Sequence, residues 1–201
     1  MKRSIISLLT ITLALTACGD PTEPELQQKP EDELVVVRFE ATRFETAQRS
    51  GSFWAVRGED RRLELRYEDS SGPGGPEFLE FRVRDESLLE RPDGTLFQEG
   101  DSILITVAVD PGGRFVFDFQ PSGLVFNPAQ PAELEVNTEL ADQDLNGDGV
   151  VNEADDRIKQ ELSIWKQESL SDPWLQLQSL RIREHEIRAD VTGFTGFACA
   201  N

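Results

Sequence analysis

The chain has 201 residues, with 20 Lys and Arg against 38 Asp and Glu, a net charge of −18, 38% hydrophobic residues and 8% aromatics. That length holds one domain with a tail, and that apolar content excludes disorder throughout. Such acidity excludes nucleic acid, whose phosphates require Lys and Arg, and also a basic membrane-surface helix; a single His leaves little for His-based metal sites or a His-containing triad.

Met1-Lys2-Arg3 is a short basic start, followed at residues 4–16 by an apolar run too short to span a bilayer as a mature helix. It ends in Leu15-Thr16-Ala17-Cys18, which resembles the lipobox of bacterial lipoprotein signals. The resemblance implies removal of residues 1–17, acylation of Cys18, and a chain held in the bacterial cell envelope with the membrane as its first partner. Three acyl chains meet the two-signal requirement for stable anchoring. Cys199 is then the only thiol left and reads as a small buried hydrophobe.

Residues 19–33, with three Pro and six acids, read with Cys18 as a disordered acidic tether spanning residues 18–33. From Leu34 to the end at residue 201 the apolar period is two. Val35, Val37, Phe39 and Ala41 alternate with charged residues, as do Leu63, Leu65 and Tyr67, and Leu79, Phe81 and Val83. Ile103, Ile105, Val107 and Val109 form a more apolar strand, and Phe115, Phe117 and Phe119 share one face. A further strand is read over residues 134–140. Pro92-Asp93-Gly94 and Asp110-Pro111-Gly112-Gly113 carry turn chemistry between strands. The expected fold is mainly β, an antiparallel β-sandwich of eight to ten short strands.

One insertion, at about residues 142–162, breaks this period. Asp144-Leu145-Asn146-Gly147-Asp148-Gly149-Val150-Val151-Asn152-Glu153-Ala154-Asp155 has the spacing of an EF-hand calcium loop. Calcium takes six to eight oxygens, and Asp144, Asn146 and Asp148 at positions 1, 3 and 5 can converge from one side. Gly149 at position 6 permits the sharp turn, the Val150 carbonyl supplies an oxygen, Asn152 acts through water, and Asp155 closes the shell. Val151 at position 8 is expected to anchor the loop in the core. A second register beginning at Asp142 and ending at Glu153 puts Gly149 at that anchor position, so the first is preferred. A short helix over residues 153–162 follows, with Ile158 and Leu162 on its buried face. With Asn at positions 3 and 9 and Asp at 12, the loop resembles that of dockerins, although dockerins carry two loops and this chain has one.

Leu162 and Ile164, Leu175 and Leu177, and Ile187, Ala189 and Val191 resume the two-residue alternation. Pro121-Ser122-Gly123-Leu124-Val125-Phe126, Pro131-Ala132-Glu133-Leu134, Trp165 and the terminal Gly193-Phe194-Thr195-Gly196-Phe197 together resemble the ZU-five type β-sandwich of ankyrins and netrin receptors, over about residues 100–199. Some members of that family cut their own backbone between Phe and Ser of a terminal His-Phe-Ser. Here Gly193 stands in place of the His and Thr195 in place of the Ser, and a hydroxyl without a base is a weak nucleophile. His185, between Glu184 and Glu186, reads as a surface residue. The expected function is therefore a non-enzymatic, membrane-anchored, calcium-binding β-sandwich acting as an interaction or structural module. The alternatives are a dockerin-like protein that binds a partner domain through the calcium hand, or an autoproteolytic sandwich.

Overall fold

The computed structural model describes residues 26–68, 74–169 and 171–201; Cys18 and the segment before it lie outside the described residues. In chain order the strands are β1 (Gln28–Lys29), β2 (Ser50–Val56), β3 (Arg61–Arg66), β4 (Glu77–Val83), β5 (Leu88–Glu90), β6 (Ser102–Val109) and β7 (Val116–Gln120). They continue with β8 (Val125–Phe126), β9 (Ala132–Asn137), β10 (Ser163–Gln167), β11 (Trp174–Gln176), β12 (Ser179–Arg183), β13 (Glu186–Val191) and β14 (Gly196–Ala200). Helices α1 (Ala41–Thr46) and α2 (Glu153–Glu161) interrupt the series. A seven-stranded sheet runs β1-β11-β10-β14-β7-β6-β2, a five-stranded sheet runs β12-β13-β9-β4-β3, and β5 pairs with β8. Every pairing is antiparallel, so the class is mainly β as the two-residue period predicts.

The core lies between the two large sheets. Ile105, Val107, Phe115, Phe117, Phe119 and Phe197 from one side meet Leu65, Leu79, Phe81, Leu134, Val136 and Ile187 from the other, all buried. Aromatic rings bind the layers: Phe81 lies 4.9 Å from Phe119 and 5.4 Å from Phe194, centroid to centroid, and Phe39 stacks on Phe115 at 4.0 Å. Such offset and edge-on pairs add to the area they bury. Among the described residues no helix is long and apolar enough to cross a membrane.

The N-terminal segment departs from expectation. Residues 28 and 29, read as tether, pair with β11, and Lys29 sits 5.4 Å over the Trp165 ring. Leu34 and Val36 then cover a second apolar cluster of Trp165, Trp174, Ala198 and Ala200 on the outer side of the seven-stranded sheet. A Trp-rich outer face needs a cover, and the chain arriving from the N-terminus supplies it. The strand expected from Val35 through Ala41 is reduced to isolated bridges at Val36, Arg38 and Phe39, and the Glu40 carboxylate then accepts the amide hydrogens of Thr42 and Arg43 and starts α1. Strand β9 likewise ends at Asn137 rather than Leu140, where the Asn137 side chain accepts from the Glu139 amide and turns the chain.

Candidate metal centre

The EF-hand-like segment leaves the sandwich just after Ala141, which bridges to Phe39, and the Asp142 amide donates to the Arg38 carbonyl at 2.9 Å. Its polar side chains are turned inward onto their own backbone. Asp144 Oδ1 and Asn146 Oδ1 both accept from the Asp148 amide, at 3.1 and 2.9 Å, which sets the oxygens of positions 1 and 3 side by side. Asp144 Oδ2 takes the Gly149 amide at 2.7 Å, and Asp148 Oδ1 takes that of Val150 at 2.9 Å. Gly147 and Gly149 have φ of 72° and 84°, a left-handed conformation that strains a side-chain-bearing residue.

The exit from the loop is a capping box. The Asn152 side chain accepts from Ala154, Asp155 reaches back to the Asn152 amide at 2.8 Å, and α2 begins. Asp155 is buried and also accepts from Leu145 and Asn146, at 2.8 and 3.1 Å. The Asn152 amide first, with those of Asn146 and Leu145, holds its carboxyl below the ordinary aspartate value. The carbonyl of Val150 accepts from Asn152 Nδ2 at 2.8 Å.

One expected contact is not made. Val151 is 63% exposed and Val150 60%, so neither anchors the loop. Leu145 packs against the main core instead, its amide held by Asp155. Position 2 thus takes the anchoring role expected of position 8. Downstream, α2 follows the expected pattern, with Ile158 partly buried against the core and Leu162 buried.

The donors fit calcium in kind. Asp144, Asn146 and Asp148 side chains, the Val150 carbonyl and the free capacity of Asp155 are all hard oxygens, as calcium prefers. The loop aspartates stand further apart than a closed shell requires. Among the described residues one acidic triad, Glu64, Glu77 and Glu80, has oxygens all within 4.8 Å of one another. It lies on the outer face of β3 and β4, where Arg66 pairs with Glu64 and with Glu77 (2.9 Å) and Arg62 approaches Glu64 at 3.1 Å. Those guanidiniums already do what a metal would do there. Strand register creates the triad: Glu80 faces Glu64 on one side and Glu135 on the other. Alternation along single strands shows that these positions share a face and says nothing of which carboxylates meet.

The other reactive candidates are held in structural roles. Cys199 is fully buried, and burial pushes its thiol up to about 12. Thr195 Oγ1 donates to the adjacent Gly196 carbonyl at 3.4 Å, while Phe194 is buried in the core and Gly193 bridges to Val125. His185 is half-buried rather than on the surface; its Nε2 lies 3.6 Å from Glu184, and its carbonyl accepts the Thr138 amide. No known protein family, curated protein or solved structure matches the chain.

Proposed function

We propose that the protein is a lipid-anchored bacterial envelope protein whose β-sandwich is an interaction or structural module, stabilised by calcium at residues 144–155. The observation that carries the calcium reading is the pairing of Asp144 Oδ1 and Asn146 Oδ1 on one amide hydrogen, that of Asp148. Two hard oxygens of the kind calcium takes thereby lie side by side. A bound calcium would neutralise the clustered carboxylates and order the loop. Asp144 and Asp148 would supply charge, Asn146 and the Val150 carbonyl neutral oxygens, and Asp155 the closure at the start of α2. The anchoring reading rests on Leu15-Thr16-Ala17-Cys18.

Thermal melts test the calcium reading. A single extracytoplasmic loop binds with a Kd on the order of 0.1–1 mM. At several millimolar calcium that range of Kd gives roughly 1–2 kcal/mol of added stability, a shift of a few degrees in Tm. Magnesium, which demands a smaller octahedral shell, is expected to substitute poorly. Asp144→Ala combined with Asp148→Ala is expected to abolish the shift. An unchanged melt with saturating calcium and no heat of binding by calorimetry overturns the reading. For anchoring, Cys18→Ser is expected to release the protein from the detergent phase. Detergent partitioning equal to wild type by a variant whose signal has been fully removed overturns the lipid assignment.

A further inference from the structure

The outer face of the seven-stranded sheet carries side chains that neither the core nor the insertion uses. Strand register sets Gln167 beside Gly196, Gly196 beside Asp118, Asp118 beside Ala108 and Ala108 beside Ser50. The next row holds Gln120, Thr106 and Ser52, and beyond it Trp54 stands directly opposite Leu104. Their strand neighbours Ala55, Val107, Phe117, Phe119 and Phe197 are buried, so these rows face outward. Trp54 is 60% exposed and Leu104 42%. At the other end of the face a cavity of about 280 Å³ is lined by Gln167, Gly196, Asp118, Ser122, Thr195 and Trp174. Gly196 is its open floor: a Cβ there would meet only Trp174, at 3.8 Å. Three strand spacings and four residues along β2 put Trp54 roughly 20 Å from Gly196.

We propose that this face binds an uncharged, extended glycan, with one sugar ring stacked on Trp54 and another in the cavity beside Trp174. The inference goes beyond the calcium and lipid-anchor readings and needs neither, so its failure leaves both standing. The occupant follows from the groups on offer. Gln167 is buried, and its Nε2 donates to the Asp172 carbonyl at 2.8 Å; this fixes the amide and leaves Oε1 without a donor among the described residues. Asp118 is exposed, and among the described residues only Gln120 Nε2 donates to its carboxylate, at 3.1 and 3.3 Å. Ser122 and Thr195 add hydroxyls. The one cation among the lining residues, Arg114, is held by Glu31 at 2.9 Å and by Asp110 at 3.3 Å. Free acceptors without a free cation suit a ligand rich in O–H donors and repel an anion. A pyranose carries such donors round its rim and a C–H face that lies flat on an indole, so it is amphipathic in the way the site is. The distance from the cavity to Trp54 asks for a chain of several units rather than one sugar. A second copy of this protein suits the face less. Trp54 and Leu104 form a single apolar pair beside Ser52, Thr106 and Gln120, short of the roughly 800 Å² per partner that a stable interface buries.

Calorimetry on the full chain, with chelator present, tests this. The probes are cellohexaose and chitohexaose, and an anionic galacturonate hexamer is the control. The expected result is a heat of binding with at least one neutral hexamer and none with galacturonate. Trp54→Ala is expected to weaken that binding about tenfold or more, as loss of a central Trp contact does. Asp118→Asn, which exchanges an acceptor oxygen for a donor, and Gly196→Val, which fills the cavity floor, are each expected to weaken it severalfold. Trp54 and Asp118 are exposed, so their variants are expected to melt with wild type, and their losses then report the site rather than the fold. Leu180→Ala, exposed on β12 of the other sheet, is expected to bind as wild type does. No heat with either neutral hexamer overturns the proposal. Equal binding of galacturonate, or binding that survives both Trp54→Ala and Gly196→Val, overturns it too. A dimer in light scattering that Trp54→Ala dissolves assigns the Trp54 and Leu104 pair to a second copy, with the same consequence.

Discussion

The sandwich core and the insertion at residues 142–162 are held by different forces. Phe81, Phe115, Phe117, Phe119 and Phe197 are wholly buried and interlock across the two sheets. Their stabilisation comes from removing apolar surface from water and persists with or without any ion. In the insertion, Leu145 is the apolar anchor of the loop itself, and the other ties are hydrogen bonds that Asp144, Asn146, Asp148 and Asp155 accept from nearby amides. Several carboxylates are thus concentrated on one short backbone stretch. One region is held by apolar burial; under the calcium reading proposed above, the other gains stability from the ion.

Substitutions separate the two regions most sharply. Phe81→Ala is expected to cost about 3–5 kcal/mol, read by urea unfolding, because Phe81 touches Phe119, Phe126 and Phe194 and leaves a cavity between the sheets. A loss under about 1 kcal/mol is the result expected of an exposed site and contradicts a tightly packed core. Calcium is expected to act on the other region. Hydrogen exchange should show the amides of Leu145, Asn146, Asp148 and Gly149 protected by the ion, with β4 and β9 unchanged. Equal protection in both regions means that the insertion and the sandwich open as one unit. Gly149→Ala places a Cβ in open space at a φ of 84°, so its cost is backbone strain alone, about 1 kcal/mol, together with weaker calcium binding.

Acidity has the smallest expected effect, and its sign differs between the regions. Burial first, then neighbouring carboxylates, lifts Glu77 and Glu80 on the sandwich above their ordinary 4.5. The folded state holds those protons more tightly than the unfolded chain does, so stability rises as pH falls from neutral toward 4.5. Asp155 in the insertion is lowered instead; its contribution is present above the ordinary 3.8 and is lost as pH falls through the depressed value. Denaturation midpoints across pH should therefore rise slightly on mild acidification and fall in stronger acid. Glu80→Gln is expected to flatten the first limb and Asp155→Asn the second.

Much of this was legible along the chain because the physics is local. Alternation at β4, β6 and β7 marks faces with a period that every strand shares. Asp144, Asn146, Asp148, Asn152 and Asp155 act on amides within eleven residues of themselves, so their spacing alone predicts a wound loop followed by the start of α2. The helical turn at Ala41 is equally local, but a Glu cap is a weaker signal than the apolar alternation that runs up to it.

What the sequence by itself determined is the β class, the buried phenylalanine face, and the loop with its exiting helix. Each follows from side chains acting on their own strand or turn. Only the tertiary structure decided that residues 28–36 clothe the outer Trp165 and Trp174 cluster, and that Leu145 rather than Val151 anchors the insertion. It alone brought Glu64, Glu80 and Glu135 into one row and set Val35 and Arg38 across a cavity from the loop. The reason is register and long-range packing: one residue of slip moves every side chain of a strand to the other face, and no pattern within a single segment records which segment lies beside it.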